Sequence, residues 1–328
     1  MLHQSNTTSQ TKDRTEMYHV MWRLNKRCNY ECAYCFREGV DEERGEEHPD
    51  CGRYAPEHIS SCFNNTGKRW RIHMTGGEPF LYPRFVELAS LLSQRHELSI
   101  NTNLSAQDAY DFGRYVRVTG VHTINASIHI QELEKRGEGV RRFLERVLFL
   151  QEKGFRVKVL YISYPPLLTR MDRDIEGLMA SGVRDCRIKV FRGLFEGRAY
   201  PATYTQRERR QIARYELSRY EQAILAGRTS FRGQHCAAGH SSFYMDISGN
   251  LSRCCTIPDG YGNFFAQTRP FDPAPRKCPA RECICPYQGM KFASGRIGLM
   301  ERGRAALLDI RMLLTGRGAK KEPSKAAP

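Results

Sequence analysis

Six short stretches rich in β-branched and aromatic side chains recur through the first 195 residues: YHVMWRL (18–24), RWRIHMT (69–75), ELSINTN (97–103), HTINASIHI (122–130), RVKVLYISY (156–164) and DCRIKVFRG (185–193). Each closes at a Gly, a Pro or a polar turn, as strands do. The intervals between them read as helices. Before the fifth stretch, Val140, Phe143, Val147 and Leu150 recur at 3-4-3 spacing, which puts them on one helical face. Strands that alternate with helices imply a parallel sheet with the helices outside it. An open doubly wound sheet and a partial barrel both satisfy this pattern, and periodicity does not choose between them.

The rhythm stops near residue 200. TQRERRQIARYELSRYEQAILAG (205–227) reads as one long helix with Ala213, Leu217, Tyr220 and Ile224 along one side, ended by Gly227. A cysteine-rich segment follows, with a hairpin in SSFYMDISGNLSRCC that turns at Ser248–Asn250. The expected organisation is a disordered N-terminus (1–17), a core (18–200), a linking helix (201–230), a cysteine-rich segment (231–290), and a C-terminal helix with a basic tail (291–328).

Cysteine usage narrows the chemistry. Twelve cysteines in 328 residues are too few for a disulfide scaffold, yet most fall in two groups, at 28–35 and 236–285. Grouping of this kind points to metal or cluster ligation. Cys28, Cys32 and Cys35 follow C-x3-C-x2-C on the loop after the first strand. Three thiolates can each hold one iron of a cubane [4Fe–4S] cluster and leave the fourth iron open to a small chelating molecule. The competing reading is a zinc knuckle that borrows Cys51 or Cys62 as its fourth ligand.

With TGGEP (75–79) at the end of the second strand, the pattern resembles the radical S-adenosylmethionine (radical SAM) superfamily. The resemblance covers residues 18–195. It implies a partial (β/α)6 TIM-like barrel, with the active site at the carboxyl ends of the strands as in full barrels. It also implies a [4Fe–4S] cluster on Cys28, Cys32 and Cys35 whose open iron chelates SAM, and an external electron donor such as flavodoxin or ferredoxin. By the same resemblance SAM contacts fall to Tyr34, Gly76, Gly77, Glu78, Asn103, Ser127 and Arg192, with Lys189 beside the last. His129 and Tyr161 are candidate catalytic proton carriers, and His73 and Tyr164 lie on or near the same strands.

Cys236 and Cys254 satisfy C-x12-G-x4-C through Gly249, and CPARECICPY adds Cys278, Cys283 and Cys285. This resembles the opening of SPASM and twitch extensions, and the segment's length suits the shorter twitch form. The implication is a second, auxiliary [4Fe–4S] cluster on Cys236, Cys254 and Cys283, with Cys278 or Cys285 as fourth ligand. A four-thiolate zinc site remains the alternative.

The net charge of +15 favours an anionic partner. No aromatic-plus-basic recognition signature appears, so the sequence does not argue for nucleic acid, although a zinc- or cluster-bearing nucleic-acid-binding protein is the reading from another class. No apolar run reaches the length of a membrane span and no secretory signal is visible, so a cytoplasmic location is expected. The expected activity is reductive cleavage of SAM to a 5′-deoxyadenosyl radical, followed by hydrogen abstraction from an anionic sugar, nucleotide or similar small molecule, ending in oxidation or epimerisation. Modification of a ribosomally made peptide is the alternative. RGRAALLDIRMLLTGR (302–317) reads as a basic amphipathic helix packed on the barrel.

Overall fold

In the computed structural model, residues 17–35, 47–137, 139–228 and 230–283 are described. The expectations for residues 1–16, for Cys285 and for the helix at 302–317 lie outside them.

The chain runs β1 (Met17–Arg23), α1 (Pro56–Asn65), β2 (Arg69–Thr75), α2 (Phe85–Leu92), β3 (Glu97–Thr102), α3 (Asp108–Tyr115), β4 (Val121–Ser127), α4 (Ile130–Lys135), α5 (Arg141–Glu152), β5 (Val157–Ile162), α6 (Met171–Ala180) and β6 (Cys186–Lys189). All six strands pair in parallel and in chain order. Consecutive parallel strands joined through helices build the partial barrel that the resemblance implies, rather than a doubly wound sheet. The expected strands are present to within a few residues at their ends. The interval before β5 holds two helices rather than one.

Strand alternation divides the side chains between two faces. On β2, Trp70, Ile72 and Met74 are fully buried toward the helices, and Trp70 meets Phe63 of α1 edge-on at 5.7 Å. Trp22 of β1 packs against Phe63 and Tyr82 on the same side. Phe143, Val147 and Leu150 of α5 are buried with them. Each such side chain contributes about 1.5–3 kcal/mol of burial, so this layer dominates stability. The alternate residues make the concave face, and they are mostly polar, with Met21, Leu160 and Ile162 among the exceptions. Asn125 donates to Asn101 Oδ1 at 2.9 Å, Arg71 pairs with Glu97 at 2.5 Å, and His19 stacks on His73 with 3.2 Å between ring nitrogens. Burial lowers His19 to about 4 and holds His73 well below the usual histidine range, with Arg71 adding to both shifts.

After β6 comes a short hairpin, β7 (Gly193–Phe195) and β8 (Arg198–Tyr200). The long helix expected over 205–227 is two: α7 (Gln206–Ala213) and α8 (Arg219–Leu225). Thr205 and Glu208 cap α7 reciprocally, and Ser218 takes the Glu221 N–H to begin α8 afresh. Between them Tyr215 and Arg214 turn aside to Asp172, each at 2.5 Å. These tertiary bonds override the helical periodicity. Ile212 is buried where Ala213 was expected.

The cysteine-rich segment supplies β9 (His235–Cys236), β10 (Ser242–Met245), β11 (Asn250–Cys254), β12 (Ile257–Asn263), β13 (Gln267–Thr268) and β14 (Arg276–Lys277). The β10–β11 hairpin turns at the expected place, with Gly249 at φ +87°. β10 pairs in parallel with β1, so this segment continues the main sheet in the order β13-β12-β11-β10-β1-β2-β3-β4-β5-β6. Among the described residues, no helix is long and apolar enough to cross a membrane.

Candidate active site

The loop after β1 lies across the carboxyl end of β2 because two glycines leave room for it. Gly77 N–H reaches Asn25 O at 3.1 Å and Asn25 Oδ1 at 3.0 Å, while Glu78 N–H donates to Arg27 O at 2.8 Å. Asn25 Nδ2 returns a bond to Glu78 O at 2.9 Å. A Cβ on Gly77 would stand 1.9 Å from Arg27 O, and one on Gly76 would stand 2.7 Å from Asn25 Oδ1. Gly76 and Gly77, expected as SAM contacts, therefore make their close backbone approach to the cysteine loop itself.

Glu78 is occupied within the protein. Its carboxylate, 1% exposed, accepts Thr102 Oγ1–H at 2.6 Å, Asn103 N–H at 2.7 Å and Phe80 N–H at 3.2 Å. Burial pushes its pKa up to about 7 against those three donors. Its role here is to tie the ends of β2 and β3 together. Asn103, so placed, donates from Nδ2 to Asn29 Oδ1 at 3.0 Å and points the same group at Cys28 Sγ at 3.8 Å. Tyr30 N–H approaches that sulfur at 3.5 Å.

Cys32 is buried, Cys35 half-buried and Cys28 exposed, and Cys35 N–H bonds back to Cys32 O at 3.0 Å. Burial, then the negative charges of Glu132, Cys35 and Cys28, push the Cys32 thiol well above its ordinary range. Three thiols near enough for their charges to act on one another, two of them shielded from water, are a donor set whose thiolate form cationic iron would stabilise. The residues present fit a cubane, which takes one thiolate per iron. Among the described residues, no three His, Cys, Asp or Glu side chains converge on a single-ion site. Neither Cys51 nor Cys62 is among the groups acting on Cys32. Cys51 is half-buried near Tyr82, and Cys62 lies 3.5 Å from His58 on α1.

Aromatic packing sets the far side of the loop. Tyr34 stacks on His129 at 5.7 Å, its hydroxyl 3.1 Å from His129 Nδ1, and packs on Tyr164 at 4.8 Å. Burial lowers His129 to about 4 and raises Tyr34. Tyr164 in turn meets Phe191 and Phe195 edge-on. Ser127 ends β4 on the same face as Asn125. The loop thus brings together Cys28, Cys32, Cys35, Tyr34, Gly76, Gly77, Asn103 and His129.

Other expected residues stand apart. Tyr161 faces the helix layer, donating to Asp174 Oδ2 at 2.9 Å and to Leu167 O, so it is not on the concave face. Lys189 is held by the buried Glu221 at 2.9 Å, and Arg192 lies over the Tyr220 ring and bonds its hydroxyl. Several residues that position the loop carry little or no sequence signal: Asn25, Asn29, Glu132 and Arg136. Asn25 gives a weak one as a polar residue after a strand. Glu132 gives none, because its contact with Glu31 spans 101 residues.

Farther along the sheet, Cys236, Cys254 and Cys278 are each less than a tenth exposed and form a separate buried cluster with Ala238. The β9–β14 ribbon brings Cys236 and Cys278 together, and Cys254 comes from the end of β11. Cys283 is half-buried, and Cys255, also half-buried, follows the end of β11. No disulfide links the described cysteines.

A family model described as the radical SAM superfamily matches residues 22–180. A probable GTP 3',8-cyclase of Archaeoglobus fulgidus is 30% identical over 112 residues, 34% of this chain and 36% of that protein. A GTP 3',8-cyclase of Haemophilus influenzae is 25% identical over 118 residues, 34% of this chain and 33% of that protein. The chain thus spans about a third of the length of the curated relatives it matches. Among solved structures, native anSMEcpe with bound AdoMet superposes at TM-score 0.55 with 12% identity, over 77% of this chain and 79% of that one. Streptococcus suis SuiB gives 0.51 with 11% identity, over 74% and 61%. At such identities the likeness speaks for the fold, and it is the same partial barrel. With three cysteines on the loop after β1 and two glycines beneath them, residues 22–180 carry the match to the radical SAM superfamily.

Proposed function

We propose that Cys28, Cys32 and Cys35 hold a [4Fe–4S] cluster whose open iron takes SAM, and that the enzyme abstracts hydrogen from an anionic small molecule. The observation that carries this reading is the seating of the three-thiol loop on Gly76–Gly77 at the carboxyl end of the sheet. When bound, cluster and SAM together supply a 5′-deoxyadenosyl radical by one-electron cleavage of the sulfonium; the protein supplies placement and exclusion of water. Gly76, Gly77 and Asn103 fix the loop; Ser127 and Tyr34 are the remaining residues beside it for the nucleoside. His129, kept neutral by burial, is the candidate proton carrier.

The character of the concave face supports a polar, anionic substrate. Alternation places Arg23, Arg71 and Lys158 on that face, Arg71 paired with Glu97, beside Ser99, Asn101 and Asn125. Cys236, Cys254 and Cys278, with Cys283 as the fourth ligand, are the set this reading gives an auxiliary [4Fe–4S] cluster, and the shared burial of the first three supports it. A flavodoxin- or ferredoxin-like protein is the electron source this reading needs.

Anaerobic reconstitution tests it. Two cubanes give about eight irons per chain, and one gives about four. Reduction with SAM then yields 5′-deoxyadenosine, and deuterium from candidate phosphorylated sugars and nucleotides is followed into it. A chain that binds no iron and cleaves no SAM refutes the proposal; deuterium transfer from a peptide alone replaces the small-molecule substrate.

A further inference from the structure

α4 leaves β4 just beyond Ser127 and reaches back to the cysteine loop through two side chains. Glu132, 6% exposed, accepts the Glu31 N–H on Oε2 at 3.0 Å, one residue before Cys32. One turn later Arg136, itself exposed, donates to Asn29 O and lies 4.9 Å from the centre of the Tyr30 ring. The helix therefore holds the loop at both sides of Tyr30.

The acidic member of this clamp is unexpected. Carboxylates are seldom buried, since the ion loses its hydration. A neutral amide at 132 would accept the same Glu31 N–H without that penalty. The cations that follow it on the helix, Lys135 and Arg136, are exposed, and the Lys135 Nζ stands 3.6 Å from the exposed Glu31 carboxylate. Glu132 thus brings a negative charge to the inner side of the loop, where the lower dielectric leaves it less screened.

We propose that Glu132 is a positioning residue that also acts through its charge. It fixes the backbone beside Cys32, and its carboxylate makes a cluster on Cys28, Cys32 and Cys35 harder to reduce and hence a stronger one-electron donor. A fixed anion near an iron–sulfur cluster disfavours the added electron, as net charge and hydrogen-bonding neighbours do generally. This rests on the assignment of those three cysteines as cluster ligands.

The test is an anaerobic redox titration of the reconstituted full chain followed by EPR, reading the signal that added SAM perturbs. Glu132→Gln keeps an acceptor for Glu31 N–H and removes the charge. It is expected to retain iron and to titrate at a more positive potential, with the reduced-to-oxidised ratio at the parental midpoint up about tenfold, or about 59 mV for one electron. Glu132→Asp, which keeps the charge, is expected to stay near the parental potential. A glutamine variant with full iron and the parental midpoint overturns the proposal. If the glutamine variant fails to hold iron, the aspartate variant decides: parental potential supports the charge, and a shifted potential or lost iron overturns it. Cys32→Ala separates the two levels, because persistence of the SAM-perturbed signal there refutes the ligand assignment itself.

Discussion

Replacing Gly77 by alanine is the sharpest perturbation this structure offers. The added Cβ would stand 1.9 Å from Arg27 O, 2.3 Å from Arg27 C and 2.6 Å from Lys26 O. All three are backbone atoms, so no rotamer change relieves the collision. Reaching even 3.0 Å from Arg27 O needs a displacement of about 1 Å or more. The Glu78 N–Arg27 O bond of 2.8 Å and the Gly77 N–H bonds to Asn25 O and Oδ1 cannot survive such a shift. At about 1 kcal/mol net for each lost bond, with buried groups left unsatisfied, the destabilisation is about 3 kcal/mol or more, and the loop carrying Cys28 moves with it. In a chain of this size the melting temperature should fall by roughly 4–5 °C or more. Gly177→Ala is the control: nothing lies within 4 Å of its Cβ position on α6, so helix propensity alone should stabilise the protein by about 1 kcal/mol or less. Anaerobic iron analysis and thermal melts of both variants decide the matter. If Gly77→Ala melts with the parent and carries its full iron, the close approach of the two backbones has no energetic weight and the account of the glycines fails.

Three further outcomes are expected. Cys254→Ala should take reconstituted iron from about eight to about four per chain while SAM cleavage persists; an unchanged iron content would remove the auxiliary assignment. Tyr161→Phe should lower stability by about 1 kcal/mol through the lost bond to Asp174, with SAM cleavage rates unaltered, as measured by denaturant melts and 5′-deoxyadenosine formation. His19 takes a proton below about 4 when folded but near 6.5 when unfolded, so between those values the unfolded chain binds more protons and stability falls as pH falls. The loss for His19 is about 2–3 kcal/mol, and His19→Gln should flatten denaturant midpoints measured between pH 7 and pH 4.5.

What the sequence reveals follows the range of the interactions concerned. Strand positions and the 3-4-3 face of α5 depend on neighbours within a few residues, and the β2 stretch 69–75 matches its strand to the residue. The break between α7 and α8 depends on Asp172, some forty residues away, and a periodicity window does not register it. The same reason hides Glu132 and the pairing of β10 with β1. Alternation along β5 does not say which face is concave, so the expectation for Tyr161 falls on the wrong side. The motif TGGEP is visible by eye, yet its glutamate is bound to Thr102 and Asn103, partners that only the register of β2 against β3 brings close.

The pairing of β10 with β1 bears on how the enzyme can be divided. His19 through Trp22 lie opposite Ser242 through Met245, so the strand that launches the thiol loop is an interior strand only while the late segment is in place. A recombinant fragment cut near residue 228 would leave that edge bare, a template for sticking to other chains. It would be recovered as aggregates, and the barrel half and the cysteine half of this enzyme must be produced as one piece.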